Sequence, residues 1–187
     1  MDEHKAVCHG CFFCKTGKED DVVRRFQTLL PRGRAITPTR SRYRRVKGTA
    51  IEERVPLLPG YVFFELGKDE TDDLQYALQS FFMADNVFKL LRYTDGSWQL
   101  HGHDDNFARM LFETGGNIGI SQAYFDVGKR IRILSGFLKD YEGFIVRVNR
   151  KAKTVEVSVE LQGEKVNMRL GYELVEPMDT KTDHKQC

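Results

Sequence analysis

The sequence contains few of the residues that carry covalent or metal chemistry. Its 187 residues include four cysteines, five histidines and one tryptophan, and no apolar segment is long enough to cross a bilayer. The N-terminus lacks the apolar stretch of a signal peptide, so we expect a cytoplasmic protein with no membrane partner. No Gly-Lys-Ser/Thr phosphate loop and no nucleophile elbow occurs, so we expect no enzymatic activity and no cofactor.

Three of the cysteines, Cys8, Cys11 and Cys14, lie within one short segment near the N-terminus. Their spacing superficially resembles a set of metal ligands. A closed zinc site needs four ligands, however, and no second cluster of such ligands follows in the chain. We favour the alternative that residues 6–15 form the first β-strand, in which cysteine is a small buried hydrophobe.

The net charge of +2 says nothing about partners, but the basic residues are unevenly distributed. Eight arginines and lysines lie between Arg32 and Arg54, against two glutamates, and turn residues predict a basic hairpin from Arg40 to Val55. Cations with an occasional aromatic residue suit a phosphate backbone or unpaired bases, although a solvated charged loop is the alternative. The candidate RNA-binding residues here are Arg40, Arg42, Arg44, Arg45 and Lys47.

The strongest strand signal is the apolar and aromatic segment from Tyr61 to Leu66. Because side chains alternate along a strand, Val62 and Phe64 lie on one face and Tyr61 and Phe63 on the other. If helices cover the first face, the second face presents aromatic rings to a partner.

Helical spacing of apolar residues occurs in three segments of the N-terminal half. Thr16 and Glu19 form a capping-box pattern for the first helix, and the other two are expected over residues 71–81 and 104–112. Together with the strands, this pattern predicts a mixed α/β domain, a small sheet with helices on one face. A glycine-rich polar run then predicts a boundary, with the domain at residues 1–114 and a linker at residues 115–124.

Beyond the linker the apolar period changes to two. Five short strands in about 50 residues are most economically a small SH3-like barrel, here over residues 125–177 and followed by a polar tail at residues 178–187. A second basic cluster lies in this region, and it is either an RNA contact or a solvated hairpin tip. Its members are Arg147, Arg150, Lys151 and Lys153, with Arg132 and Lys139 as neighbours.

Four motifs, in this order and spacing, resemble the NusG family of transcription elongation factors over almost the whole chain. They are Cys11-Phe12-Phe13-Cys14, Pro59-Gly60-Tyr61-Val62-Phe63, Val127-Gly128-Lys129-Arg130-Ile131 and Tyr141-Glu142-Gly143-Phe144. A finer similarity, to the LoaP-type specialised paralogues associated with antitermination, lies in Asn149-Arg150-Lys151-Ala152-Lys153 and Gly163-Glu164-Lys165.

The resemblance implies an α+β protein with a NusG-type, ferredoxin-like N-terminal domain and a C-terminal KOW barrel. It implies a monomer that docks on the clamp helices of RNA polymerase, for which Tyr61 and Phe63 supply a surface, and that contacts a nascent or leader RNA. Ribosome or other elongation-factor contacts through the KOW domain are further implied partners. The alternative is an RNA-binding module that stacks bases on the same aromatic residues without binding polymerase.

Overall fold

The computed structural model describes residues 7–83 and 86–175, so the predicted polar tail and Cys187 lie outside the described residues. In chain order the elements are β1 (Val7–Cys14), α1 (Glu19–Leu29), β2 (Arg34–Ile36), β3 (Thr39–Val46), β4 (Thr49–Pro56), β5 (Tyr61–Gly67), α2 (Thr71–Phe82), β6 (Val87–Leu90), α3 (Gly102–Glu113), β7 (Asn117–Ile118), β8 (Ser121–Phe125), β9 (Ile131–Ser135), β10 (Ile145–Asn149), β11 (Thr154–Leu161) and β12 (Glu164–Leu174).

The N-terminal half is built on a four-stranded antiparallel sheet in the order β2-β5-β1-β6. One face packs on α1 and α2 through a cluster of phenylalanine rings. Phe12 lies 4.9 Å from both Phe64 and Phe81, and Phe26 lies 5.2 Å from Phe64, measured between ring centroids. The prediction that Val62 and Phe64 face the helices is therefore confirmed.

The first helix begins differently from the capping box expected at Thr16. Lys18 is the N-cap and makes no side-chain capping bond. The buried Glu19 instead accepts hydrogen bonds from the backbone N–H groups of Gly17 and Gly60, each at 2.7 Å. One carboxylate thus joins the start of α1 to the turn before β5, which holds the central strand in place.

The third helix corrects the expectation that all helices lie on one face of the sheet. Its apolar residues Phe107 and Leu111 pack against Phe63 and Cys11, on the face opposite α1 and α2. The apolar stripe of α3 requires a buried surface, and the aromatic face of β5 is the one that the other helices leave uncovered. The second face of the N-terminal sheet is therefore covered at Phe63 and Cys11.

The segment predicted as a linker, residues 115–124, contains two strands. β7 pairs in parallel with β3 of the basic hairpin, and β8 pairs in parallel with β12. Only residues 119–120 separate these two strands. Its glycine and polar residues predict a linker, whereas its backbone hydrogen bonds are made with strands distant in sequence.

The C-terminal strands form a sheet in the order β10-β11-β12-β8-β9, which we call the C-terminal sheet. The predicted alternation is clear in β11 and β12, where Val155, Val157, Met168 and Leu170 are buried. β12 continues to Leu174, and β8, from the segment predicted as a linker, supplies the fifth strand of this sheet. Within the described ranges, no helix combines the length and apolar character needed to cross a membrane.

Candidate nucleic-acid interface and docking surface

The two predicted docking residues differ in their surroundings. Phe63 is 0% exposed, because the ring of Phe107 from α3 packs edge-on against it with centroids 5.6 Å apart. The prediction that Phe63 is exposed is therefore wrong, although its assignment to the face opposite Val62 is correct. Tyr61 is only partly buried, and burial, with Glu164 nearby, raises the pKa of its hydroxyl.

Tyr61 belongs to an aromatic row that remains partly open to solvent. The ring of Phe13 lies 5.2 Å from Tyr61 and 5.9 Å from Phe88, measured between centroids. Phe88, on the edge strand β6, is 57% exposed, which is unusual for so large an apolar side chain. We call Tyr61, Phe13 and Phe88 the aromatic row, and it replaces the Tyr61 and Phe63 pair as the accessible part of this face.

The C-terminal sheet packs directly beside this row. The buried Gln162, in the β11–β12 turn, donates from its backbone N–H to Asp104 Oδ2 at 2.9 Å. Its side-chain Nε2 donates to the carbonyls of Leu91 and Trp98, each at 3.3 Å. One apolar cluster also runs continuously from the N-terminal sheet through α3 into the C-terminal sheet. The two halves are thus joined by a shared core and by polar contacts at one turn.

An ion pair marks the border between the aromatic row and the C-terminal sheet. Lys89 Nζ lies 2.8 Å from Glu164 Oε1, and both side chains are about half exposed. A pair this exposed stabilises little, on the order of 0–1 kcal/mol. The buried contacts of Gln162 and the apolar cluster therefore hold the two halves together.

The basic hairpin and the C-terminal sheet enclose a groove with a volume of about 580 Å³. Its residues come from both predicted RNA-binding clusters, which are more than 100 positions apart in the chain. We call it the basic groove, and its charged and aromatic members are Arg42, Tyr43, Arg45, Lys151, Lys153, Tyr172 and Glu173.

The hairpin exists as predicted, but its cations have different surroundings. Arg42 is paired with Glu53, with Nη2 and Oε1 2.6 Å apart, and Arg44 lies 3.8 Å from the same carboxylate. Lys47 occupies the turn between β3 and β4 with a positive φ of 49°. Arg45 lines the groove and has no ion pair with a carboxylate among the described residues.

The C-terminal cluster divides in a similar way. Lys151 and Lys153 line the groove, whereas the guanidinium of Arg150 lies 4.1 Å from the centre of the Phe125 ring and donates to the Lys129 carbonyl. Arg150 is therefore engaged within the fold. Of the two neighbours, Arg132 is paired with Asp126 and Glu142 at 3.2 and 3.1 Å, and Lys139 ends a 3₁₀ turn.

Arg40 is the most unusual of the predicted residues. It is 8% exposed, and its Nη1 has no hydrogen-bond partner. Burial, with the neighbouring cations Arg42 and Arg169, lowers the pKa of Arg40. Arg169 and Arg147 both line a smaller cavity with a volume of about 150 Å³. Sequence reasoning missed Arg169, although its place between the inward residues Met168 and Leu170 puts it on the outer face of β12.

The cysteines have the surroundings expected of buried hydrophobes. Cys8, Cys11 and Cys14 are all buried as free thiols, and burial raises the pKa of each. Cys8 and Cys14 face α1 and α2, while Cys11 packs on the α3 side. Strand geometry therefore directs the three sulfur atoms to two different cores.

Comparison with known proteins identifies a solved structure with a similar fold. No family model matches the sequence, and no curated protein is similar to it. Among solved structures, the chain is similar to NusG of Thermotoga maritima, from a structure described as "Domain interaction in Thermotoga maritima NusG". The TM-score is 0.53 at 18% sequence identity, with 89% of this chain and 94% of that chain covered. The chain therefore has a NusG-like fold.

Proposed function

From this NusG-like fold we propose that the protein is a transcription elongation or antitermination factor. In this proposal the N-terminal half docks on RNA polymerase, and the basic groove contacts nascent or leader RNA. The observation that carries the RNA part is the convergence of two cation clusters, distant in sequence, on one groove. Proteins hold RNA through such arrays of arginine and lysine, and an aromatic residue such as Tyr43 adds a stacking surface.

The aromatic row is the surface we propose for polymerase docking. Phe88 is 57% exposed, and Phe13 and Tyr61 continue the apolar surface onto the sheet. Burying an exposed phenylalanine completely is worth about 1.5–3 kcal/mol, so covering the exposed part of Phe88 contributes roughly 1 kcal/mol. Phe63 is not part of this surface, because Phe107 of α3 covers it.

The position of the C-terminal sheet affects how a large partner reaches Tyr61. Glu164, the first residue of β12 after the β11–β12 turn, pairs with Lys89, the neighbour of Phe88, and Tyr61 packs against the core that the two halves share. In our proposal, full access to Tyr61 requires this turn to move away, whereas Phe88 is accessible without that movement.

A second candidate function is an RNA-binding module that does not bind polymerase. The same basic groove favours it, because RNA contact alone accounts for the cations. The two candidates differ in the role of the aromatic row, which is a protein-docking surface in the first and has no partner or stacks bases in the second.

Transcription in vitro across an intrinsic terminator tests the main proposal. We expect the protein to increase readthrough, and a requirement for an upstream leader hairpin identifies LoaP-type action rather than general NusG-type action. Tyr61→Ala combined with Phe88→Ala is expected to weaken polymerase binding about fivefold or more while RNA binding is kept. Tyr76→Ala is the matched control, because Tyr76 is 82% exposed on α2, on the other face of the sheet.

The two candidates give opposite results in this experiment. Loss of readthrough and of polymerase binding in the double variant supports the polymerase-docking factor. A wild-type protein that binds RNA but neither binds polymerase nor alters termination supports the RNA-binding module and refutes the main proposal.

A further inference from the structure

The basic groove has two walls that come from different parts of the fold. Arg42 and Arg45 lie on β3 of the hairpin, and Lys151 and Lys153 lie between β10 and β11 of the C-terminal sheet. The groove therefore depends on how the hairpin sits against the C-terminal sheet.

The hairpin and the sheet are in close contact at Gly171. A β-carbon added at Gly171 of β12 would lie 3.0 Å from the Ser41 carbonyl oxygen and 3.4 Å from Ile120. A larger side chain at this position therefore has no room without a shift of the hairpin. The absence of a side chain at Gly171 lets the two walls meet.

The groove carries more positive charge than its surroundings neutralise. It contains four cations and one carboxylate, Glu173. Arg42 is paired with Glu53, but Arg45, Lys151 and Lys153 form no ion pair with any carboxylate in the part of the chain that the structure describes. The three unpaired cations come from both walls.

Arg40 extends this positive region into the interior. A buried guanidinium with an unpartnered Nη1 destabilises a fold, because the lost hydration is not replaced. Its charged neighbours are Arg42, which lines the groove, and Arg169, which lines the smaller cavity beside Arg147. Glu53 pairs with Arg42, and Glu156 lies opposite Arg169 across the strands and lines the same cavity. Arg40 forms no ion pair among the described residues, so a nearby oxyanion would stabilise its charge.

We propose that the basic groove is a single binding site for the phosphate backbone of RNA, formed only while the hairpin and the C-terminal sheet are in contact, with the buried Arg40 adding positive charge beside Arg42, which lines the groove two positions along β3. This proposal rests on the proposed RNA contact and specifies where and when it forms. RNA bound across both walls joins the hairpin to the C-terminal sheet. RNA binding and the packing of the two halves therefore stabilise each other.

A contribution of Arg40 to RNA binding makes a prediction that a purely structural arginine does not. Arg40→Met keeps the length of the side chain but removes a buried, incompletely bonded charge. We expect the melting temperature to stay unchanged or rise and RNA affinity to fall about tenfold. A structural arginine would show the reverse, a lower melting temperature with RNA affinity kept, and that result overturns the contribution of Arg40 to RNA binding.

Fluorescence anisotropy measures the RNA affinity of the full-length protein at several salt concentrations. Two labelled RNAs of equal length are used, one unstructured and one that forms a hairpin. Arg45→Glu changes the hairpin wall and Lys151→Glu changes the sheet wall, and each is expected to weaken binding about tenfold or more. Each removed cation should also reduce the slope of log affinity against log salt by about 0.7. Arg109→Glu is the control, an exposed arginine on α3 outside the groove.

Gly171→Val tests the geometry without changing any charge. It is expected to separate the walls and to weaken RNA binding while the circular dichroism spectrum is kept. Wild-type affinity in this variant, or in either wall variant, shows that the walls act separately and overturns the single site. If the wild-type protein binds neither RNA, the RNA contact of the proposed function fails as well, whereas polymerase binding is measured independently.

Discussion

Gln162 offers the sharpest test of how the two halves are held together. It is 5% exposed, its Nε2 donates to two carbonyls of the N-terminal half, and its backbone N–H bonds to Asp104. Gln162→Glu keeps the shape but places a carboxylate oxygen against the Leu91 and Trp98 carbonyls. The Oε1 atom has no hydrogen-bond partner, so nothing at this site compensates the new charge.

The expected effect is large for a change of one atom. Two hydrogen bonds are lost, and an uncompensated buried charge beside the carboxylate of Asp104 costs about 3–5 kcal/mol. Because Gln162 lies in a turn at the edge of the C-terminal sheet, the cost falls on the packing between the halves. We expect the halves to separate while each keeps its secondary structure.

Small-angle X-ray scattering at pH 8 measures the separation. A compact chain of this length has a radius of gyration of about 16 Å, and we expect a clear increase in the variant with an unchanged circular dichroism spectrum. Gln122→Glu is the matched control, because Gln122 is exposed on β8. An unchanged radius of gyration in Gln162→Glu at this pH would refute the reasoning, since the buried carboxylate would then be tolerated in place.

Two further predictions concern the N-terminal half. Replacing Glu19 by Gln removes an acceptor for the backbone N–H of Gly17 or Gly60, so we expect the free energy of unfolding to fall by about 1–3 kcal/mol. Urea titration measures this loss, and Asp20→Asn, on the exposed side of α1, is the control. Burial raises the pKa of the Cys11 thiol well above its ordinary value. Alkylation of Cys11 by iodoacetamide at pH 8 should therefore be many-fold slower in the folded protein than in urea. Rapid alkylation of Cys11 in the folded protein would contradict its burial.

Local pattern predicted much of this fold because it reports which side chains share a face. The alternation along β5 correctly assigned Phe64 and Phe63 to opposite faces, and the basic hairpin was located from its turn and its cations. The same pattern did not show that α3 covers Phe63. Periodicity identifies an apolar face, but it carries no information about which element covers that face.

The sequence by itself determined the strands of alternating residues, the buried cysteines and the two basic clusters, because each depends on residues close together in the chain. Only the tertiary structure decided that β8 completes the C-terminal sheet, that Arg40 is buried and that Arg45 and Lys151 line one groove. These features depend on pairing between segments far apart in sequence. The packing of the whole chain selects those pairings, and no local pattern encodes them.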